Sequence, residues 1–119
     1  MKYEIHITRR AEADIIEAAD HIEFILFNPK AADDLLDEAE KKLTSLSQFP
    51  EKYPLVDDPV LHSWGIRFTV VRGYLAFFII SQEDHRVHIV RFLHHRRDWV
   101  SILKTAINIT VKQIQKEEV

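Results

Sequence analysis

The chain contains no cysteine, which removes disulfides, thiolate nucleophiles and cysteine-ligated zinc together. Its only glycines are Gly65 and Gly73, so neither a Walker-type phosphate loop nor a G-x-G-x-x-G turn can be built. No apolar run in the sequence approaches the roughly 18–20 residues that cross a bilayer. The opening residues read as a strand rather than as a basic, then apolar, leader. A cytoplasmic protein without a membrane partner is therefore expected.

What is present fits one folded domain. A length of 119 residues is enough for a real core and too short for two. Hydrophobic and charged contents of 46% and 29% lie near the soluble average, which argues against disorder. Charge is unevenly placed. Residues 1–61 hold 7 Lys/Arg against 14 Asp/Glu, whereas residues 62–119 hold 9 against 5, together with five of the seven histidines. Such polarity directs an anionic partner to the C-terminal half, while the acids of the first half equally suit the wet faces of helices.

The periodicity gives the element order. Tyr3, Ile5 and Ile7 alternate, predicting a half-buried strand. Thr8 can cap a helix whose core stripe is Ala11, Ile15, Ala19, Ile22 and Leu26. His21, beside that stripe, reads as a helix-surface residue. Asn28-Pro29 ends this helix and starts a second, with its stripe at Ala32, Leu35, Leu36, Ala39, Leu43 and Leu46. So short a break predicts an antiparallel helical hairpin. Pro50, Pro54, Asp57, Asp58 and Pro59 mark a loop, with the paired acids read as turn residues.

From Trp64 the period becomes two: Trp64, Ile66, Phe68 and Val70 share one face, and Arg67, Thr69 and Val71 the other. Arg72-Gly73 turns the chain into Tyr74–Ile80, apolar on both faces and hence a central strand. Val87–Leu93 completes a meander. The fold class is α+β, in the order β-α-α-β-β-β, with the hairpin packed on one face of a small, mainly antiparallel sheet. The opposite face is expected to be a groove into which Arg67 and Arg91 point. From Asp98 onward an amphipathic helix is expected, with Leu103, Ala106, Ile107, Thr110, Val111 and Ile114 as its stripe. It either packs on that face or offers its stripe to a partner.

The candidate site is the end of the last strand, V-H-I-V-R-F-L-H-H-R-R-D-W from Val87 to Trp99. It gathers Arg91, His94, His95, Arg96 and Arg97, a set suited to an anionic ligand, with imidazoles able to move protons near neutral pH. Tyr74 and Trp99 add rings that could stack on bases, which also suits a nucleic-acid-binding module without turnover. A zinc site from His85, His88, His94 and His95 is disfavoured, because strand alternation sends His85 and His88 to different faces. No metal or other cofactor is expected. Trp64 and Trp99 also read as packing anchors, and Arg96 and Arg97 could simply pair with Asp98.

Four segments together, the opening strand with T-R-R-A-E-A-D-I, then F-P-E-K-Y-P, W-G-I-R-F-T-V-V-R-G-Y-L-A-F-F and V-R-F-L-H-H-R-R-D-W, resemble the RelE/ParE superfamily of toxins from type II toxin–antitoxin modules. The resemblance spans Lys2 to Leu103, giving a toxin domain at 1–103 and a helical extension at 104–119. It implies a growth-inhibiting toxin, often carried by plasmid-stabilising modules and neutralised by a cognate antitoxin, either as a homodimer or in a toxin–antitoxin hetero-oligomer. RelE-like members are ribosome-dependent mRNA endonucleases (mRNA interferases), and ParE-like members bind and poison DNA gyrase. Arg97 matches an arginine that contributes to RNA cleavage, and Arg67 lies where the superfamily often places one. Leu75, however, stands where nuclease members carry another arginine, and no tyrosine follows Tyr74. These losses, with a net charge of −3, favour the gyrase-binding branch. If the protein were a nuclease, His94, His95 and Arg97 would be its catalytic residues. Otherwise Arg67, Tyr74, Arg91, Arg96 and Trp99 would bind the target.

Overall fold

A computed structural model describes residues 2–105. Strand β1 (Glu4–Ile7) leads into helix α1 (Arg9–Asp20), which ends in a π-helical turn, His21–Ile25. Helix α2 (Pro29–Ser45), a 3-10 turn (Pro50–Lys52) and a short helix α3 (Pro59–Ser63) follow. The meander is β2 (Arg67–Val71), β3 (Tyr74–Ser81) and β4 (Arg86–His94). Residues 99–105 are helical and are labelled α4. The expected stripe beyond Thr105 lies outside the described residues. The sheet order is β1-β4-β3-β2, with β1 parallel to β4 and the other pairs antiparallel.

Local chemistry explains the boundaries. Thr8 accepts from the Ala11 N–H at 3.2 Å to cap α1, and its hydroxyl donates to the Ile89 carbonyl at 2.8 Å. One side chain thus starts the helix and fastens it to β4. Asn28 caps α2 by accepting from the Ala31 N–H at 3.1 Å, with Pro29 at the first helical position. Sequence reasoning missed α3. Asp58 accepts from the N–H groups of Val60 and Leu61, so Asp-Pro here is a helix start rather than a plain turn. Arg72 and Gly73 both take positive φ, at 46° and 83°, as the favoured two-residue hairpin turn requires.

Two cores sandwich the sheet. On the hairpin side Ala11, Ala18, Leu35, Ala39 and Leu43 meet Ala76, Phe78, Val87, Ile89 and Phe92. On the other side Phe77, Val90 and Leu93 meet Val56, Leu61, Ile66 and Leu103. The second face is therefore not the open groove expected, and of the two placements expected for the terminal helix its described turn, with Leu103, takes the packed one. A strand that buries both Phe77 and Phe78, each worth roughly 1.5–3 kcal/mol of transfer free energy, needs cover on both sides. The α3 segment and α4 supply it. Arg67 is also on the other side from that expected: it pairs with Phe78, a residue of the hairpin-side core.

Strand β1 pairs with β4 only as far as Ile89, while β4 runs on to His94. Asp14 of α1 takes over where β1 stops. Its carboxylate accepts from the Phe92 N–H at 3.0 Å, and from Arg91 Nε at 2.7 Å and Nη2 at 3.2 Å. Arg10 adds a 3.4 Å ion pair from the exposed side. Asp14 and Arg91 are each only 4% exposed, so neither can be rehydrated if the other is lost. Breaking a buried pair of this kind costs about 3–5 kcal/mol. Asp14→Ala is therefore expected to lower stability by about that amount, measured by urea denaturation. Unfolding coincident with the parent chain would show that the pair is not what holds α1 to β4.

Candidate functional site

A cleft of about 410 Å³ opens between α1 and the end of β4. Asp14, Glu17, Ala18 and His21 line it from the helix side, and Tyr74, Phe92, Leu93, His94 and Arg97 from the sheet and the turn that follows. The i, i+3 and i+7 spacing of Asp14, Glu17 and His21 puts all three on one face of the helix. Tyr74 and His94 are register partners across β3 and β4. The cleft is where the chain's polar functional groups converge.

Aromatic contacts order its floor. Tyr74 lies flat on Phe92, with ring centroids 5.1 Å apart and planes within 6°. His94 meets Tyr74 edge-on at 5.1 Å, and His95 stacks against His94 at 4.6 Å. Burial pushes the Tyr74 phenol above its ordinary pKa, so it stays a neutral donor. His94 Nδ1 accepts from the Arg96 N–H at 3.2 Å, which leaves the proton of the neutral ring on Nε2. The turn is closed by the Arg97 N–H donating to the His94 carbonyl at 3.1 Å.

The expected site residues separate into two groups. Tyr74, His94 and Arg97 line the cleft, and His95 and Arg96 stand exposed beside it. Among the described residues the guanidiniums of Arg96 and Arg97 have no hydrogen-bond or ion-pair partner, so they do not pair with Asp98. The other three residues serve the fold. Arg91, expected on an open surface, is buried against Asp14, because a buried carboxylate at the bare strand edge needs a cation. Arg67 is half-buried and donates to the carbonyls of Glu51 and Tyr53 at 3.0 and 2.6 Å. It pins the loop ahead of α3. Trp99 packs on Phe77 at 5.3 Å as a core anchor rather than a stacking platform.

Sequence reasoning missed Asp14 and Glu17, whereas His21 is exposed on the helix surface as expected and also borders the cleft. The only available signal was their shared helical face, which solvated acids display just as often. The disfavoured four-histidine zinc site is also not assembled: His88 hydrogen-bonds His6, its register partner on β1, with the two Nδ1 atoms 2.8 Å apart. Among the described residues no group of three or more histidine or acid side chains is placed to hold a metal ion.

His94 has a lowered pKa, chiefly from burial and then from the positive charges of His95, Arg96 and His21. The unfolded chain therefore takes up this proton first as pH falls. The stabilising contribution of His94 is complete above its ordinary value of 6.5 and is lost as pH drops through the lower, folded-state value. An NMR titration is expected to place His94 below 6.5, with His95→Gln/Arg96→Gln moving it upward. A His94 resonance titrating at or above the ordinary value would refute this electrostatic account.

A family model described as the ParE toxin of the type II toxin–antitoxin system parDE matches residues 5–99. Among curated proteins the sequence finds no match. Solved structures are similar in fold. A chain of the chromosomal ParDE system from P. aeruginosa aligns with a TM-score of 0.64 at 20% identity, covering 78% of this chain and 96% of that one. A chain of the RelBE2 toxin–antitoxin complex from Mycobacterium tuberculosis gives 0.54 at 18%, covering 80% and 100%. A mutant of the E. coli toxin RelE in the free state gives 0.57 at 14%, covering 91% and 97%. At such identities the structural likeness establishes the fold, and the sequence model establishes the family. The family match covers β1, the helical hairpin, the meander and the His94–Trp99 turn, and the chain belongs to the ParE toxin family, in the RelE/ParE superfamily of type II toxin–antitoxin toxins.

Proposed function

We propose that this toxin acts as a binder, in the ParE manner, with DNA gyrase as its target and the cleft rim of His94, His95, Arg96 and Arg97 as its working surface. The observation that carries this reading is the use made of the cations. Cleaving RNA requires several positive groups converging on one phosphate. Here Arg91 neutralises Asp14, Arg67 holds a loop, and Arg97 enters a cleft it shares with Glu17. Leu75, where nuclease relatives have an arginine, packs in the second core. Of the arginines in the basic cluster, Arg96 and Arg97 on one turn have no ion-pair partner among the described residues, enough to contact an acidic protein surface and too few to enclose a phosphodiester.

One observation favours the second reading, a ribosome-dependent mRNA endonuclease. His94, beside Arg97 and Tyr74, has its pKa lowered chiefly by burial, which favours the neutral ring that a general base needs. In either reading a cognate antitoxin is the neutralising partner. A direct assay incubates the chain with programmed ribosomes and, separately, with gyrase and plasmid. The expected outcome is inhibited supercoiling or trapped cleaved DNA with intact mRNA, and Arg97→Ala should weaken inhibition by about tenfold, the loss of one charge-assisted contact. Cleavage of mRNA in the ribosomal A site would overturn the binding mechanism in favour of the nuclease.

A further inference from the structure

One arginine outside the basic cluster sits where folding alone would not put it. Arg72 is the first residue of the two-residue turn between β2 and β3, with φ of +46°. Such turns favour asparagine, aspartate or glycine at that position, because a long side chain is strained in the left-handed region. Arg72 is exposed. Among the described residues its guanidinium has no hydrogen-bond or ion-pair partner. The turn thus carries a strained residue whose charge nothing in the described chain uses.

Backbone hydrogen bonding brings that charge beside the basic turn. Tyr74 and His94 are the last register partners of β3 and β4, and the Gly73 carbonyl then accepts from the His95 N–H at 3.0 Å. The strands are therefore still joined one residue past their last pair. One residue further along stand Arg72 on one chain segment and Arg96 on the other. The cations form a row rather than a ring: Arg97 lines the cleft, Arg96 is exposed beside it, and Arg72 lines a neighbouring groove of about 300 Å³ that contains no acid. A row of cations suits a linear polyanion, which is either a nucleic-acid strand or an acidic polypeptide. Single strands are held by rings on which bases stack, yet here Trp99 packs on Phe77 and Tyr74 lies on Phe92. A polypeptide can also set a neutral residue opposite Glu17 of the cleft wall, which a strand charged at every nucleotide cannot.

We propose that Arg72 is a further target-binding residue, and that Arg97, Arg96 and Arg72 together take an extended segment of the target protein rich in glutamate or aspartate. The inference rests on the cleft rim being the working surface, and adds to it a residue and the chemistry of what it meets. An extended segment sets alternate side chains roughly 6–7 Å apart on one face, so successive carboxylates reach successive guanidiniums. Each contact is a charge-assisted pair of the kind arginine makes with both carboxylate oxygens. The Gly73–His95 hydrogen bond fixes the two turns relative to one another, so the row meets its target as one edge.

The test uses the full chain and a synthetic peptide of about ten alternating glutamates and serines, long enough when extended to span the row, followed by amide NMR. Shifts at residues 72–74 and 94–97 are expected, with affinity falling several-fold when salt is raised. A matched peptide with lysine for glutamate should leave those amides unmoved. Arg72→Asn separates binding from folding. Asparagine suits the turn better than arginine, so the melting temperature should hold or rise, while the glutamate peptide binds about tenfold more weakly. With gyrase, the same variant should need about tenfold more protein for half-inhibition of supercoiling. The proposal is overturned if the glutamate peptide moves no amide of the row, if Arg72→Asn binds it as the parent does, or if the variant loses melting temperature and binding together. It is likewise overturned if single-stranded DNA of similar length moves the same amides at lower concentration, which would assign the row to nucleic acid. A parent chain that leaves supercoiling intact yet binds the peptide at these residues, with Arg72→Asn weakening it, removes gyrase as the target and supports the row.

Discussion

The carboxylate of Asp14 is the point on which this toxin's architecture turns. A four-residue edge strand cannot cover the nine-residue strand beside it, so the far half of β4 would leave bare backbone donors against a buried helix. Asp14 answers the Phe92 N–H directly, and Arg91 compensates the charge this buries. The helix, the strand edge and the buried arginine are thereby locked into one arrangement. The cleft follows from it, because α1 is held against β4 at the level where β4 ends in His94 and the basic turn begins.

That arrangement also divides the basic cluster. Guanidiniums inside the fold are engaged by carboxylate or carbonyl groups, as physical chemistry requires of buried cations. Only those on the turn beyond β4 are left for a target. The cleft therefore has mixed character: acids and an imidazole from the helix face an imidazole, a phenol and one guanidinium from the sheet. The hairpin contributes a second kind of surface, with Phe24, Ile25, Leu26 and Phe27 exposed, at its opposite end from the β1 junction. One small domain thus presents two chemically different faces.

Much of the fold was legible in the sequence because it rests on local rules. The alternation of Tyr3 and Ile5, the Thr8 and Asn28 caps, the Arg72-Gly73 turn and the doubly apolar Tyr74–Ile80 strand each reflect sterics and hydrogen bonding within a few residues. Two of the misreadings share one origin. Taking the second face as open ignored the consequence of Phe77 being as apolar as Phe78, and reading Asp57-Asp58-Pro59 as a turn overlooked the short helix that helps cover that face. Both signals were present, but which segment would supply the cover depended on distant residues.

The site was legible only in part, for a reason that lies in electrostatics. The H-H-R-R segment announces itself by composition, and the sequence by itself determined that charged groups gather at the end of the last strand, that no disulfide or cysteine-held metal enters, and which family the chain belongs to. It could not determine which arginines would be free. Arg67, Arg91 and Arg97 are chemically identical in the sequence, and their roles depend on what lies within about 3 Å of each guanidinium. Only the tertiary structure brings Asp14 to Arg91 across 77 positions of chain, and the Tyr53 carbonyl to Arg67. An acid on a helix and an arginine on a strand acquire their meaning when burial removes water and makes each a chief partner of the other.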